Sequence, residues 1–154
     1  MAKTMKQQSH AGFLMAKIRH VGGRISERIL KKYNVEINTA QGRIMFALWR
    51  KDSIPINELA KKTQLKKSTL TSMLDRLEKM GYIKRIHSKK DRRKILIKRT
   101  KKDRMVEKKY VEVSEEMTRL FYKGFSKGQI DRFEKDLEQI LNNLTEFEEN
   151  SNQI

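Results

Sequence analysis

The 154-residue sequence predicts a mainly α fold with one small β-hairpin. Three observations carry this reading. Apolar residues recur at three- and four-residue steps toward both chain ends, the period of amphipathic helices. A single stretch, near residues 82–98, switches to period two around a basic tip. Proline occurs once, at Pro55, in a chain rich in Lys, Glu and Leu, so little interrupts helix formation.

The first helix is expected over about residues 10–33. Phe13, Leu14, Ile18, Val21, Ile25, Ile29 and Leu30 form one stripe along it, and Asn34 is its stop. A second helix follows Thr39, read as its N-cap, and runs to about Arg50 with Ile44, Met45, Leu48 and Trp49 inward. Lys51-Asp52-Ser53 is a turn, and Pro55 keeps Ile54-Pro55-Ile56 extended. Asn57 to Thr63 forms a short third helix, Gln64-Leu65-Lys66 a tight connection, and Lys67 to Met80 a fourth helix closed by Gly81. Leu70, Met73, Leu74, Leu77 and Met80 face inward on this fourth helix. Its outer face carries Lys67, Ser68, Thr69, Thr71, Ser72, Asp75 and Arg76.

Tyr82 to Ile86 and Ile95 to Lys98 alternate as two strands around the tip His87 to Lys94. A fifth helix is expected from Thr100, with Thr100 and Asp103 resembling a capping box. A sixth begins near Ser126 with Gln129 three residues on, and carries the stripe Ile130, Phe133, Leu137, Ile140, Leu141, Leu144 and Phe147. The chain therefore divides into an N-terminal helix (1–36), a central module (37–100), C-terminal helices (101–150) and a frayed tail (151–154). The stripes at both ends are longer than one small module can cover. The expected solution is a homodimer through the first, fifth and sixth helices.

Charge sharpens the picture. The net charge is +17, from 36 Lys and Arg against 19 Asp and Glu, which favours a polyanionic partner. It is not spread evenly: residues 53–100 hold 15 basic and 4 acidic side chains, whereas residues 131–150 hold 2 and 7. A uniform lysine bias would not concentrate charge on the central module.

Helix, tight turn, helix and basic hairpin together make a winged helix-turn-helix, here flanked by long dimerisation helices. The second helix of such a unit fits the major groove of double-stranded DNA, so its outward residues must be small and polar or basic. Ser68, Thr69, Thr71, Ser72 and Arg76 meet that demand, with Arg76 suited to a guanine edge and Lys66 and Lys67 to phosphates. In the wing, Lys89, Lys90, Arg92, Arg93 and Lys94 surround Asp91. Five cations beside one anion serve phosphate or minor-groove contact, with Asp91 bracing an arginine.

The block from Asn57 to Arg85, followed by Asp91 to Thr100, resembles the MarR family of bacterial regulators. The matching features are Glu58-Leu59-Ala60, Asp75-Arg76-Leu77-Glu78 with Gly81, and Asp91 with Arg93. The resemblance implies that Thr69, Thr71, Ser72 and Arg76 face bases and phosphates and that Arg93 enters the minor groove. It implies a repressor, released in many relatives by a small apolar or aromatic-acid effector. The chain departs from the family where the wing closes: Arg99-Thr100 replaces the usual Leu-Thr, and Asp103 stands at a position usually held by glycine.

Other classes are poorly supported. The absence of cysteine removes disulfides, thiolate metal sites and cysteine redox sensing. No Ser/His/Asp set, phosphate loop or metal triad points to an enzyme, and no cofactor is expected. His10, His20 and His87 are scattered without ligand spacing. No run approaches the length of a membrane span, and no apolar signal core opens the chain, so the cytoplasm is the expected location. Met15, Met45, Met73 and Met80 read as core fillers. A speculative effector pocket would take Phe13, His20, Met45 and Trp49. The competing reading is a sequence-neutral architectural DNA- or RNA-binding protein. Single-strand readers use aromatic platforms, and the basic segment offers only Tyr82.

Overall fold

The computed structural model describes residues 10–151. The element order is α1 (Ala11–Lys32), α2 (Thr39–Arg50), β1 (Ile54–Pro55), α3 (Ile56–Thr63), α4 (Lys67–Lys79), β2 (Ile83–His87), β3 (Ile95–Arg99), α5 (Asp103–Phe121) and α6 (Lys127–Ser151). Two compact units divide the chain, Met1–Glu115 and Glu116–Ile154. Helix α6 runs through Ser151, the first residue of the expected tail; residues 152–154 lie outside the described residues.

Helix ends follow local chemistry. Asn34 at φ 55° and Gly81 at φ 84° turn the chain out of α1 and α4 through left-handed backbone. In both, the next amide reaches back five residues, Val35 to the Leu30 carbonyl (2.9 Å) and Tyr82 to that of Leu77 (3.0 Å). Val35 and Tyr82 are buried just beyond these turns. The cap of α2 is Asn38 rather than Thr39: Asn38 Oδ1 accepts the Gln41 amide at 2.8 Å while Gln41 Oε1 accepts the Asn38 amide at 3.0 Å. Thr39 is the first helical residue, and its buried hydroxyl lacks a partner. Asparagine caps the helix because its side-chain oxygen reaches the amide three residues on while its own backbone stays extended, ψ 174°.

The sheet has order β1-β3-β2, all antiparallel. The two-stranded hairpin expected from the sequence thus gains a third strand, Ile54 pairing with Ile97 and Pro55 with Leu96. Pro55 is tolerated because β1 lies at an edge, where a missing amide costs no ladder bond. The core of the first unit is sealed by Ile44, Met45, Leu48, Leu59, Leu70 and Leu74, each fully buried. Helix α2 approaches α5 so closely that a side chain on Gly42 would overlap the Tyr110 hydroxyl and ring. In the second unit, Tyr122 packs edge-on against Phe133, and its hydroxyl donates to Glu134 at 2.9 Å. Helix α6 opens with the expected capping box: the Gln129 amide donates to Ser126 Oγ (3.2 Å) and the Ser126 amide to Gln129 Oε1 (2.8 Å).

Candidate nucleic-acid interface

Helix α4 buries Leu70, Leu74 and Leu77 and turns the opposite face to solvent. That exposed face carries Lys67, Ser68, Thr69, Ser72 and Arg76, with Lys66 exposed at the N-cap. Thr71 is half-buried, and its hydroxyl donates to the Lys67 carbonyl at 2.8 Å, so this side chain is engaged with its own helix. The turn into α4 depends on Gln64, at φ 56°, whose side-chain amide donates to the Lys61 carbonyl at 3.2 Å.

A residue absent from the sequence reading fixes α4 against the wing. Arg85 on β2 donates from Nη2 to Asp75 Oδ1 (2.7 Å) and from Nη1 to Glu78 Oε1 (3.0 Å). Its backbone amide donates to Glu78 Oε2 at 3.1 Å. Asp75 therefore serves as half of a carboxylate clamp rather than as a reading residue. The signal was present in the sequence: two acids one helical turn apart, and an arginine four residues past the glycine that ends the helix. Arg76, between the two acids, remains exposed and outside any ion pair among the described residues.

The wing tip is folded by its own polar groups. The Ser88 amide donates to the Lys94 carbonyl (2.9 Å) and the Lys94 amide to the Asp91 carbonyl (3.0 Å). Ser88 Oγ accepts the amides of Lys90 and Asp91 at 3.3 and 3.4 Å, and His87 Nδ1 lies 3.0 Å from the Arg92 carbonyl. Asp91 does brace an arginine residue, but through the backbone: its Oδ1 accepts the Arg93 amide at 3.0 Å. The Arg93 guanidinium is thereby left without a bond to Asp91. Lys89, Lys90, Arg92, Arg93 and Lys94 are all exposed.

At the root of the wing, Asp103 is fully buried and accepts from Trp49 Nε1 (2.9 and 3.0 Å) and Arg99 Nε (2.5 Å). Arg99 also donates to Glu107. Burial works to lower the Arg99 pKa, but its bonds to Asp103 and Glu107 outweigh this and raise it. The expected Thr100–Asp103 capping box does not form. Thr100 Oγ1 donates instead to the Gly81 carbonyl at 2.5 Å, and α5 starts at Asp103. A carboxylate at a position usually held by glycine thus joins β3, α2 and α5. Nearby, the Tyr82 hydroxyl donates to Glu36 Oε2 at 2.7 Å, and burial together with this bond pushes its pKa up to about 12.

The four residues proposed for an effector pocket are not gathered in the protomer. Met45 is sealed in the core, Trp49 is held by Asp103, and Phe13 and His20 stand exposed on α1. Phe13 stacks against His10. Two other cavities indent the first unit. One, about 470 Å³, is lined by Asp52, Lys84, Lys98, Arg99, Thr100, Lys101 and Arg104. The second, about 180 Å³, is lined by Val35, Glu36, Tyr82, Met105, Val106 and Lys109, among others.

An exposed polar helix, clamped to a three-stranded sheet that ends in a cationic loop, defines a winged helix-turn-helix nucleic-acid-binding protein. The pattern that defines the MarR family matches residues 37–95. The HTH-type transcriptional regulator SarZ of Staphylococcus aureus is 29% identical over 127 residues, covering 79% of this chain and 80% of that one. The fold is shared with Bordetella bronchiseptica BpsR, whose structure describes regulation of its DNA binding by 6-hydroxynicotinic acid. There the TM-score is 0.78 at 18% identity, covering 91% of this chain and 97% of that chain. It is also shared with a cysteine-to-serine variant of MarR from E. coli complexed with operator DNA. The TM-score there is 0.69 at 23% identity, covering 86% and 96% of the two chains.

Proposed function

We propose that this MarR-family regulator acts as a repressor, binding a pseudo-palindromic DNA operator as a homodimer with one α4 per half-site. The observation that carries this reading is the exposed Ser68, Thr69, Ser72 and Arg76 face of α4, held to the wing by the Arg85 clamp. A helix that only needed to be soluble would not require a fixed angle to a cationic loop. Residues 37–100 form the reading module in this scheme, with dimerisation helices on either side and Arg93 directed to a minor groove. Two-fold symmetry then sets the half-sites about one helical turn apart. Occlusion of a promoter by such a dimer represses without an activation surface. Its place of action is the cytoplasm, where no membrane span is required of it.

A small-molecule effector fits the same scheme. The cavity beside Tyr82 is better suited to one than the four residues chosen from the sequence. Met105 and Val106 offer an apolar wall there and Lys109 a cation, a pairing that matches an aromatic acid.

Fluorescence anisotropy with labelled duplexes tests the reading. The duplex upstream of the protein's own gene should bind about 10³-fold more tightly than a scrambled one at physiological salt. Arg76→Ala should relax base preference by about 1–3 kcal/mol, while Arg93→Ala should weaken A·T-rich flanks most. Equal, steeply salt-dependent binding to every duplex would instead mark a sequence-neutral architectural protein.

A further inference from the structure

The cleft of about 470 Å³ at the wing root carries more positive charge than the fold or the reading head uses. Lys84 on β2 and Lys98 on β3 are direct cross-strand partners. Like charges directly opposite each other weaken an antiparallel pair, so folding alone disfavours this arrangement. Lys101 and Arg104, at the start of α5, line the same cleft. None of these four cations has an ion-pair partner among the described residues. Arg99, also in the lining, is already neutralised by Asp103 and Glu107. The lining carboxylate, Asp52, accepts the amides of Ser53 (2.7 Å) and Arg99 (2.9 Å).

Strand alternation places this cleft away from the reading head. Successive side chains on β2 point to opposite faces. Arg85 faces α4, where Asp75 and Glu78 hold it, and its cross-strand partner Ile97 is buried on the same side. Lys84 and Lys98 therefore project from the other face of the sheet. The Arg85 face is the one packed on α4 and the core, so the two lysines stand on the opposite face of the sheet.

We propose that the cleft binds a small ligand bearing a chain of phosphates, held by Lys84, Lys98, Lys101 and Arg104. The volume falls within the range of small-molecule sites, about 300–1,000 Å³. Four cations converging on one concavity suit several adjacent negative charges rather than a single carboxylate. Lysine supplies point charges that adapt to phosphate oxygens, and Arg104 adds a planar fork. Such a ligand would tie β2, β3 and the start of α5 together and remove the repulsion between Lys84 and Lys98.

Isothermal titration calorimetry of the full-length dimer with inorganic tripolyphosphate tests this at physiological ionic strength. One tripolyphosphate per subunit is expected. The double variant Lys84→Gln, Lys98→Gln should weaken binding at least tenfold. It should resist urea at least as well as the parent, because a repulsive pair has been removed, so a folding defect cannot mimic the result. The control Lys89→Gln, Lys90→Gln at the wing tip should bind tripolyphosphate as the parent does. No binding, or equal weakening by the tip control, would overturn the proposal by reducing the effect to diffuse attraction. So would a double variant that keeps its tripolyphosphate affinity but loses duplex affinity, with a shallower salt dependence. That outcome would assign the lysines to the DNA backbone.

Discussion

Asp103 shows how one buried carboxylate organises its surroundings. A fully buried carboxylate is costly unless every lone pair is used, and here Trp49 and Arg99 supply the donors. Asp103→Ala would strand the indole N–H and leave Arg99 with Glu107 alone. A loss of about 2–3 kcal/mol is expected in urea unfolding, below the full cost of breaking a buried pair because Arg99 keeps one partner and some solvent. A change under about 0.5 kcal/mol would show that the network is not structural. Tyr82 gives a pH-dependent counterpart. Its hydroxyl is protonated in the native state and its pKa is raised from 10.0 to about 12. Its contribution is therefore whole below pH 10.0 and lost as pH rises through about 12. Tyr82→Phe should cost about 1 kcal/mol at neutral pH and flatten the alkaline decline of stability across that interval. An unchanged alkaline limb would assign that decline to other groups.

Among the elements, the relation between α4 and the wing matters most. Arg85 spans them with two charged partners, both partly exposed, so each pair adds only about 0.2–1 kcal/mol to stability. Its value lies in angle rather than energy. Arg85→Gln is expected to lower stability by no more than about 1–2 kcal/mol while reducing the ratio of operator to random-duplex affinity about tenfold, measured by anisotropy. If both duplexes lost affinity equally, the clamp would have no part in reading sequence. The turn residues act at the same level. Asn34, Gln64 and Gly81 each place one left-handed step where a helix must stop. Asn34 and Gly81 were readable as stops in advance because asparagine and glycine tolerate that backbone. Gln64 was not readable as left-handed, since glutamine has no such preference.

Assembly governs the long apolar stripes. Phe13, Leu14, Ile18 and Val21 on α1, and Ile140, Leu141, Leu144 and Phe147 on α6, stand exposed in a single protomer, Phe147 at 74%. Contiguous apolar faces of this length mark an interface, and the proposed homodimer makes a second copy of the chain its occupant. Leu141→Glu with Leu144→Glu should convert the dimer to a monomer in sedimentation equilibrium at micromolar concentration. Operator affinity should fall by at least about 10², since the two half-sites would no longer be linked. A double variant that remains dimeric would remove these α6 residues from the interface.

The helices, the hairpin and the outward face of α4 were legible from the sequence because each is a local matter. Periodicity, a stop residue or a charge run needs no distant partner, and Leu70, Leu74 and Leu77 announced the buried face of α4 directly. The long apolar stripes pointed to the dimer, and the family resemblance added roles within the reading head. What the tertiary structure decided lies in pairs far apart in the chain: β1 against β3 and Trp49 against Asp103. A polar side chain has several geometrically acceptable partners, and only the packed backbone selects among them. For that reason Asp103 read as half of a capping box, whereas the folded chain gives it Trp49 and Arg99.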